Sequence, residues 1–179
     1  MRERIKKLLE QALQNLNEFA SGEISEKLYL NFLCDDKYWG VDLAARGNPA
    51  SRIKFTAEIL KAEVEIESIE VSSAVQRKGI GTLLFSGMLE IVEVMNNELK
   101  TQGLPIISAV YGELRPYDPP YDQYEKSIPF YMKQAQIHNL GIQFHEDNEA
   151  TFEKKEISFE EALGFIDAWK CGSFRYTLN

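Results

Sequence analysis

Apolar residues in the first part of the chain recur at helical spacing and then at strand spacing. Residues 4–20 carry one apolar face, which predicts an amphipathic helix that ends at Ser21-Gly22. Shorter apolar runs at 28–33 and 39–43 predict two strands around an Asp35-Asp36 turn. The apolar positions of the helix are Ile5, Leu8, Leu9, Leu13, Leu16 and Phe19.

Two further strands are predicted at 53–60 and 64–71, after a loop predicted at Gly47-Asn48-Pro49. The apolar residues of the second strand change phase, because they begin on even positions and continue on odd ones. Since the faces of a strand alternate with a period of two, one extra residue near Ser68, a β-bulge, would explain the change. A strand buried on both faces would explain it equally well. The apolar positions are Val64, Ile66, Ile69 and Val71.

A glycine-containing turn separates this strand from a long amphipathic helix, which is predicted from Leu83 to about residue 99. Gly103-Leu104-Pro105 ends that segment, and residues 106–114 predict a buried strand. Strand, glycine turn, helix and strand in this order predict an α/β fold.

The region that follows begins with an aromatic, proline-rich stretch at 115–126, which predicts a loop. Ser127 is then predicted to cap a helix that runs to about His138. Pro129 would lie in the first turn, where its missing N–H has little cost.

The C-terminal part predicts a closing pair of strands at 142–145 and 150–157, joined around Glu146-Asp147-Asn148. Ser158-Phe159-Glu160-Glu161 has the pattern of a capping box and predicts the start of a final helix. Residues 174–178 predict a last strand.

Composition narrows the class of protein. With 179 residues, 44% of them apolar and 27% charged, the chain is expected to form one soluble domain over residues 1–179. A net charge of −8 disfavours a nucleic-acid partner. No apolar run approaches a membrane span or a signal core, and Cys34 and Cys171 are the only cysteines. We therefore expect a cytoplasmic protein without a membrane partner.

The candidate chemistry lies in Gln76-Arg77-Lys78-Gly79-Ile80-Gly81, between a predicted strand and a predicted helix. Free N–H groups at a helix start, glycines without a Cβ and two cationic side chains together favour a bound anion. Leu84 stands where a dinucleotide fingerprint needs a small residue, and Gly-Lys-Ser/Thr of a P-loop is missing. The glycines alone are also compatible with simple packing.

At this point the sequence resembles the GNAT superfamily of acyl-CoA-dependent N-acyltransferases. The resemblance covers about residues 53–145 and is strongest over Ile69–Leu84, whereas residues 1–50 are divergent and 158–179 add a C-terminal helix and strand. It implies an α/β fold with a mixed, twisted sheet, a bulged central strand and flanking helices. It also implies acetyl-CoA as co-substrate, no metal and an amine acceptor.

The resemblance further implies how the co-substrate would bind. Its pantetheine arm would bond to the backbone near Ile69 and Val71. The N–H groups of the loop would hold the pyrophosphate; these belong to Gln76, Arg77, Lys78, Gly79, Ile80, Gly81 and Thr82.

Candidate catalytic residues also follow from the resemblance. Phe130-Tyr131-Met132-Lys133 is similar to a Phe-Tyr-x-Lys element of the family, which makes Tyr131 the candidate general acid and Phe130 and Lys133 candidate cofactor contacts. Alternatively, Tyr131 only packs against the cofactor. Ala135-Gln136 stands where the family usually has Gly-Phe.

Glu65 lies at the distance before Gln76 where some family members place a general base. Glu63 and Glu67 would share its face, so all three glutamates are alternatively ordinary solvent-facing residues. Asp35, Asp36 and Trp39 are candidate substrate contacts, or else an ordinary turn beside a buried Trp. His138 and His145 lack the paired spacing of a metal site.

The sequence thus predicts an N-acetyltransferase in which an amine attacks acetyl-CoA directly. A non-catalytic acyl-CoA-binding or protein-interaction module on the same fold is the alternative. A third reading is that the loop binds another phosphate ligand. A homodimer is compatible with the sequence.

Overall fold

The computed structural model describes residues 2–19, 28–34, 37–45, 48–114, 124–148, 153–165 and 171–178. Internal contacts divide the chain into two compact units, Met1–Ile107 and Ser108–Asn179. No helix of the described ranges is long and apolar enough to cross a membrane. The first unit contains α1 Arg2–Phe19, β1 Leu28–Cys34, β2 Tyr38–Ala45, β3 Asn48–Glu58, β4 Glu63–Glu70 and α2 Ile80–Thr101, with short 3-10 helices at Ile59–Lys61 and Ser73–Val75. The second contains β5 Ala109–Leu114, α3 Tyr124–His138, β6 Gly141–Asn148, β7 Glu153–Ile157, α4 Phe159–Leu163 and β8 Gly172–Thr177.

The strands of the first unit form an antiparallel sheet in the order of the sequence. From Ser51 to the end of β3 every second residue is buried, and the residues between them are partly covered, as expected for a strand with one face in a core. The α2 helix contacts β2, β3 and α1. Each large apolar side chain buried in this way contributes about 1.5–3 kcal/mol. The buried residues of α2 are Ile80, Leu84, Phe85, Gly87, Met88, Ile91, Val92, Met95, Glu98 and Leu99.

Glu98 is a carboxylate within this buried face, only 4% exposed. Its Oε2 lies 3.1 Å from Nη2 of Arg4, and Gln102 donates a hydrogen bond of 3.0 Å from Nε2 to its Oε1. A buried charge is tolerated when it is paired and hydrogen-bonded in this way. The ion pair joins α1 to α2.

The β-bulge predicted in β4 is confirmed. Along the ladder with β3, Lys54 pairs with Ser68 and the next residue, Phe55, pairs with Ile66. Glu67 is therefore the extra residue, and its Oε1 accepts a hydrogen bond of 2.6 Å from Oγ1 of Thr56. The extra residue returns the later apolar positions of β4 to the face that carries the earlier ones.

The second unit contains an antiparallel sheet in the order β5, β8, β6, β7. The last strand, β8, therefore lies between β5 and β6, and Phe174 and Tyr176 are almost completely buried in it. The pair of β6 and β7 was predicted from the sequence, but the prediction was incomplete, because β8 pairs with the other side of β6. The capping box is confirmed: Ser158 Oγ accepts from the N–H of Glu161, whose carboxylate accepts from the N–H of Ser158.

The α/β fold class predicted from the sequence is confirmed, and α4 is the additional C-terminal helix. Two predicted loops were partly wrong. Asn48 and Pro49 belong to β3. A proline close to the start of a strand is tolerated. The carbonyl of Pro49 accepts a 3.2 Å hydrogen bond from Nε of Arg52. Glu146, Asp147 and Asn148 belong to β6, because Asp147 and Glu146 lie directly opposite lysines of β7.

The predicted start of α3 was also wrong. The helix begins at Tyr124, so Ser127 is not its cap and Pro129 lies inside it. A proline near a helix start disrupts few backbone hydrogen bonds. Pro129 is therefore compatible with a helix that begins at Tyr124 and also with the predicted cap at Ser127. The predicted turns at Ser21-Gly22 and Asp35-Asp36, and most of the loop at 115–126, lie outside the described residues.

The packing around Gly172 predicts that alanine is tolerated much less well there than at Gly141. A Cβ at Gly172 would lie 2.3 Å from Cε2 of Phe165 and 2.4 Å from the carbonyl oxygen of His145. Because backbone would have to move, we expect Gly172→Ala to lower the free energy of unfolding by about 1–3 kcal/mol, the range of overpacked cores.

Gly141→Ala is the matched control, since a Cβ there would meet Thr177 at an ordinary 3.8 Å. Urea unfolding of both variants measures the difference. Equal stability of the two variants would contradict this account of Gly172.

Candidate functional site

The segment between β4 and α2, residues 71–79, is the site to which the sequence motif points. It contains a short 3-10 helix at Ser73–Val75 and ends at Gly79, the residue before α2. The side chains of Gln76, Arg77 and Lys78 are exposed. We call residues 71–79 together with the first turn of α2, Ile80 to Thr82, the glycine loop.

Hydrogen bonds within the glycine loop fix its course. The N–H of Val75 donates to the carbonyl of Ser72 at 2.9 Å, and the N–H of Lys78 donates to the carbonyl of Val75 at 3.4 Å. Nε2 of Gln76 reaches back to the carbonyl of Val71 at 3.1 Å. The segment is therefore a series of tight turns joined to the end of β4.

Two residues of the glycine loop have left-handed backbone conformations. Gly79 has a φ of 82°, which glycine adopts without cost because it has no Cβ. Arg77 has a φ of 63°, which costs on the order of 1–2 kcal/mol for a residue with a side chain. Strained backbone of this kind is concentrated at functional sites. The conformation of this loop is thus held by its surroundings.

The start of α2 has no side-chain cap, because Gly79 cannot provide one. The first N–H groups of a helix have no partner within the helix, and the helix dipole makes this end positive. No acidic residue lies in the first turn of α2, and no ion pair between described residues includes Arg77 or Lys78. The chain is acidic as a whole, but this end of α2 is suited to an anion.

The predicted cofactor-binding residues of the first unit differ in how exposed they are. Ile80 is only 3% exposed as a whole residue, so its side chain belongs to the core. Ile69, Val71, Gly81 and Thr82 are partly covered. The carbonyl of Val71 accepts a hydrogen bond from Nε2 of Gln76, which uses one of its two lone pairs.

Tyr131 lies on α3 and is 7% exposed. Its ring stacks on Phe174 with centroids 3.8 Å apart, and the Tyr176 hydroxyl donates a 2.7 Å hydrogen bond to its carbonyl oxygen. Burial raises the pKa of Tyr131 far above its ordinary value of 10.0, so the phenol keeps its proton. Phe130 contacts the same ring edge-on at 5.4 Å, and Lys133 is exposed.

Glu65 lies on β4 opposite Thr56, on the face away from buried Val64 and Ile66. It is partly covered, and Glu67 on the same stretch is bonded to Thr56. Trp39 is 2% exposed and contacts Phe32 edge-on at 6.5 Å, which assigns it to packing rather than to a substrate.

Asp35 and Asp36 lie outside the described residues. In the parts of the chain that the structure describes, no three His, Cys, Asp or Glu side chains come together as a metal site.

Ser51 is a residue of this site that the sequence reasoning missed. It is completely buried on β3, and its Oγ accepts a 3.0 Å hydrogen bond from the N–H of Ser72, at the start of the glycine loop. The signal in the sequence was a serine in the apolar register of Ile53, Phe55 and Ala57.

No protein-family model and no curated protein matches this chain. Among solved structures, it is similar to the ribosomal-protein-S18-alanine N-acetyltransferase from Escherichia coli, with 13% identity, a TM-score of 0.37, and coverage of 82% of this chain and 72% of that one. It is also similar to nourseothricin acetyltransferase, with 13% identity, a TM-score of 0.43, and coverage of 80% of this chain and 66% of that one. At these scores neither structure assigns a residue role or a substrate to this chain.

Proposed function

We propose that this chain binds acetyl-CoA at the glycine loop and transfers the acetyl group to an amine. The observation that carries the proposal is the uncapped start of α2, reached through a left-handed Gly79 at the end of the segment that follows a bulged strand. This combination joins the sequence signature of the GNAT superfamily to a backbone that is suited to a pyrophosphate. Acetyl-CoA would supply the activated acetyl group.

The donor set fits a pyrophosphate. The backbone N–H groups of Gln76, Arg77, Gly79, Ile80 and Gly81 would bind its oxygens, together with that of Thr82. The N–H of Lys78 would contribute least, because it already donates to Val75. Arg77 and Lys78 would add charge through exposed side chains, and hydrogen bonds from charged groups to phosphate are stronger than neutral ones. Ile69 and Val71 would border the pantetheine arm.

In the proposed reaction the amine nitrogen attacks the carbonyl carbon of the thioester, and the bond from that carbon to sulfur breaks. Tyr131 would give its proton to the leaving sulfur. A thiol has a pKa of about 8.5, below that of Tyr131, which burial raises, so this transfer is uphill and the phenolate would have to recover a proton from solvent. Glu65 would accept the proton that the attacking nitrogen loses. Phe130 and Lys133, on the same helix as Tyr131, would contact the cofactor.

A second candidate function is a binding module that holds an acyl-CoA without turnover. Its support is the environment of Tyr131, because a phenol that is stacked on Phe174 has a sufficient role in packing. The two candidates agree on the glycine loop and differ in the catalytic roles of Tyr131 and Glu65. Experiments on the loop and on Tyr131 therefore test separate parts of the proposal.

Gly81→Asp should abolish CoA binding and leave the fold largely intact. The new carboxylate would stand where a phosphate is proposed to bind, and two anions repel each other strongly at this distance. Titration calorimetry with CoA measures the effect.

Asn97→Asp is the matched control, because it adds the same charge to an exposed position near the other end of α2. It should bind CoA as the parental chain does. Parental affinity in Gly81→Asp would remove the proposed site.

Tyr131→Phe should lower kcat and kcat/KM together by about 10²–10⁴-fold, the usual contribution of a general acid. The affinity for acetyl-CoA should hardly change, because the hydroxyl is proposed to act only as sulfur leaves. Thiol release against a panel of amines measures the rate. Tyr124→Phe, at the start of the same helix, is the control, and a defect there with normal turnover in Tyr131→Phe would mean that Tyr124 is the donor. Normal turnover in both variants would mean that protonation comes from solvent or does not limit the rate, and the catalytic role proposed for Tyr131 would be wrong.

The burial of Tyr131 also predicts how stability depends on pH. The folded pKa lies above the unfolded value of 10.0, so the folded chain keeps a proton that the unfolded chain loses. The contribution of the buried phenol to the free energy of unfolding should therefore be fully present below about pH 10. Above that pH it should fall by about 1.4 kcal/mol per pH unit for each such group. Burial raises the pKa of Tyr176 as well.

Tyr131→Phe should remove one of these two contributions, so its unfolding free energy should fall less steeply with pH. Urea unfolding between pH 9 and 11 measures the slope. Tyr38→Phe is the control, since Tyr38 is 47% exposed. A parental slope in Tyr131→Phe would mean that the phenol is accessible to solvent.

A further inference from the structure

Ser51 is a polar residue on the buried face of β3, and no part of it is exposed. The residues that share its face are apolar, namely Ile53, Phe55 and Ala57. Buried hydroxyl groups almost always have a hydrogen-bond partner, and here Oγ accepts from the N–H of Ser72 at 3.0 Å. A buried serine is therefore tolerated at this position because its hydroxyl accepts a hydrogen bond from the segment that follows β4.

The place of this hydrogen bond in the ladder shows what it does. The last backbone pair between β3 and β4 is Arg52 with Glu70. Ser72 lies two residues further along, where the strand has ended and no backbone pair with β3 remains. The Ser51 side chain thus replaces the backbone acceptor that a longer strand would have provided.

From Ser72 the connection continues into the glycine loop. The carbonyl of Ser72 accepts from the N–H of Val75, and the carbonyl of Val75 accepts from the N–H of Lys78. Gly79, the residue before α2, comes next. A short chain of hydrogen bonds therefore runs from the core of the first unit to the proposed phosphate donors.

We infer that Ser51 is a positioning residue, which holds the glycine loop in the conformation that binds the pyrophosphate. The inference rests on the proposed function. When Ser51 loses its hydroxyl, the N–H of Ser72 loses its acceptor and the turns that depend on Ser72 become free to move. Donors that must converge on one anion then have to be ordered during binding, which weakens affinity.

The test compares Ser51→Ala with the parental chain in calorimetric titrations with CoA and with pantetheine, which lacks the pyrophosphate. Ser51→Ala should bind CoA about tenfold more weakly, close to what one hydrogen bond contributes. Its affinity for pantetheine should stay unchanged, so the ratio of the two affinities should fall. Ser51→Thr keeps the hydroxyl and should restore most of the CoA affinity.

Ser173→Ala is the matched control. Ser173 is also a buried serine, 3% exposed, and its hydroxyl is hydrogen-bonded to Asp147, but it lies on β8 in the second unit. It should lose stability without a change in the affinity ratio. Thermal unfolding of every variant establishes that the titrations are made on folded protein.

The outcomes separate the two proposals. If the parental chain binds CoA and Ser51→Ala keeps the parental affinity ratio, the positioning role is wrong and the proposed function stands. An equal loss of affinity for CoA and pantetheine would also overturn it, since that is the effect of a general loss of structure. If the parental chain binds no CoA, both proposals fall.

Discussion

One extra residue in β4 determines how the glycine loop is presented. Successive side chains of a strand point to opposite faces, so without Glu67 every later residue of β4 would turn over. Ile69 would leave the face of Val64 and Ile66, and the N–H of Ser72 would no longer be directed to Ser51. The bulge is thus the local constraint from which both the turn and its attachment to β3 follow.

The second constraint is electrostatic. A chain with a net charge of −8 repels anions on average, so an anion site needs a local reversal of sign. The start of α2 provides that reversal, because its backbone N–H groups have no side-chain cap and its neighbours Arg77 and Lys78 are cationic. Backbone donors are fixed in place and lose little entropy when they bind, whereas the exposed side chains must be ordered. In the proposed site the backbone would therefore supply the specificity, and the two cations would supply only part of the affinity.

Features that depend on neighbouring residues could be predicted from the sequence. The phase change from Ile66 to Ile69 indicated a bulge as one of two equal explanations, and the register of β4 with β3 confirmed it. The spacing of Ser158 and Glu161 revealed the capping box. Features that depend on distant pairing could not. Nothing local to Gly172–Thr177 shows that β8 lies between β5 and β6, and nothing near Ser51 shows that Ser72 is its partner. The start of α3 was misjudged because Pro129 is acceptable at several positions near a helix start.

The most direct test of the account is a CoA titration followed at individual backbone amides by NMR. If the glycine loop holds the pyrophosphate, the largest saturable shifts should fall on the N–H groups of Gln76, Arg77, Gly79, Ile80 and Gly81. The amide of Lys78, which already donates to Val75, should shift less than its neighbours. Saturable CoA binding that leaves these amides unchanged and shifts others would contradict the account, as would the absence of any binding.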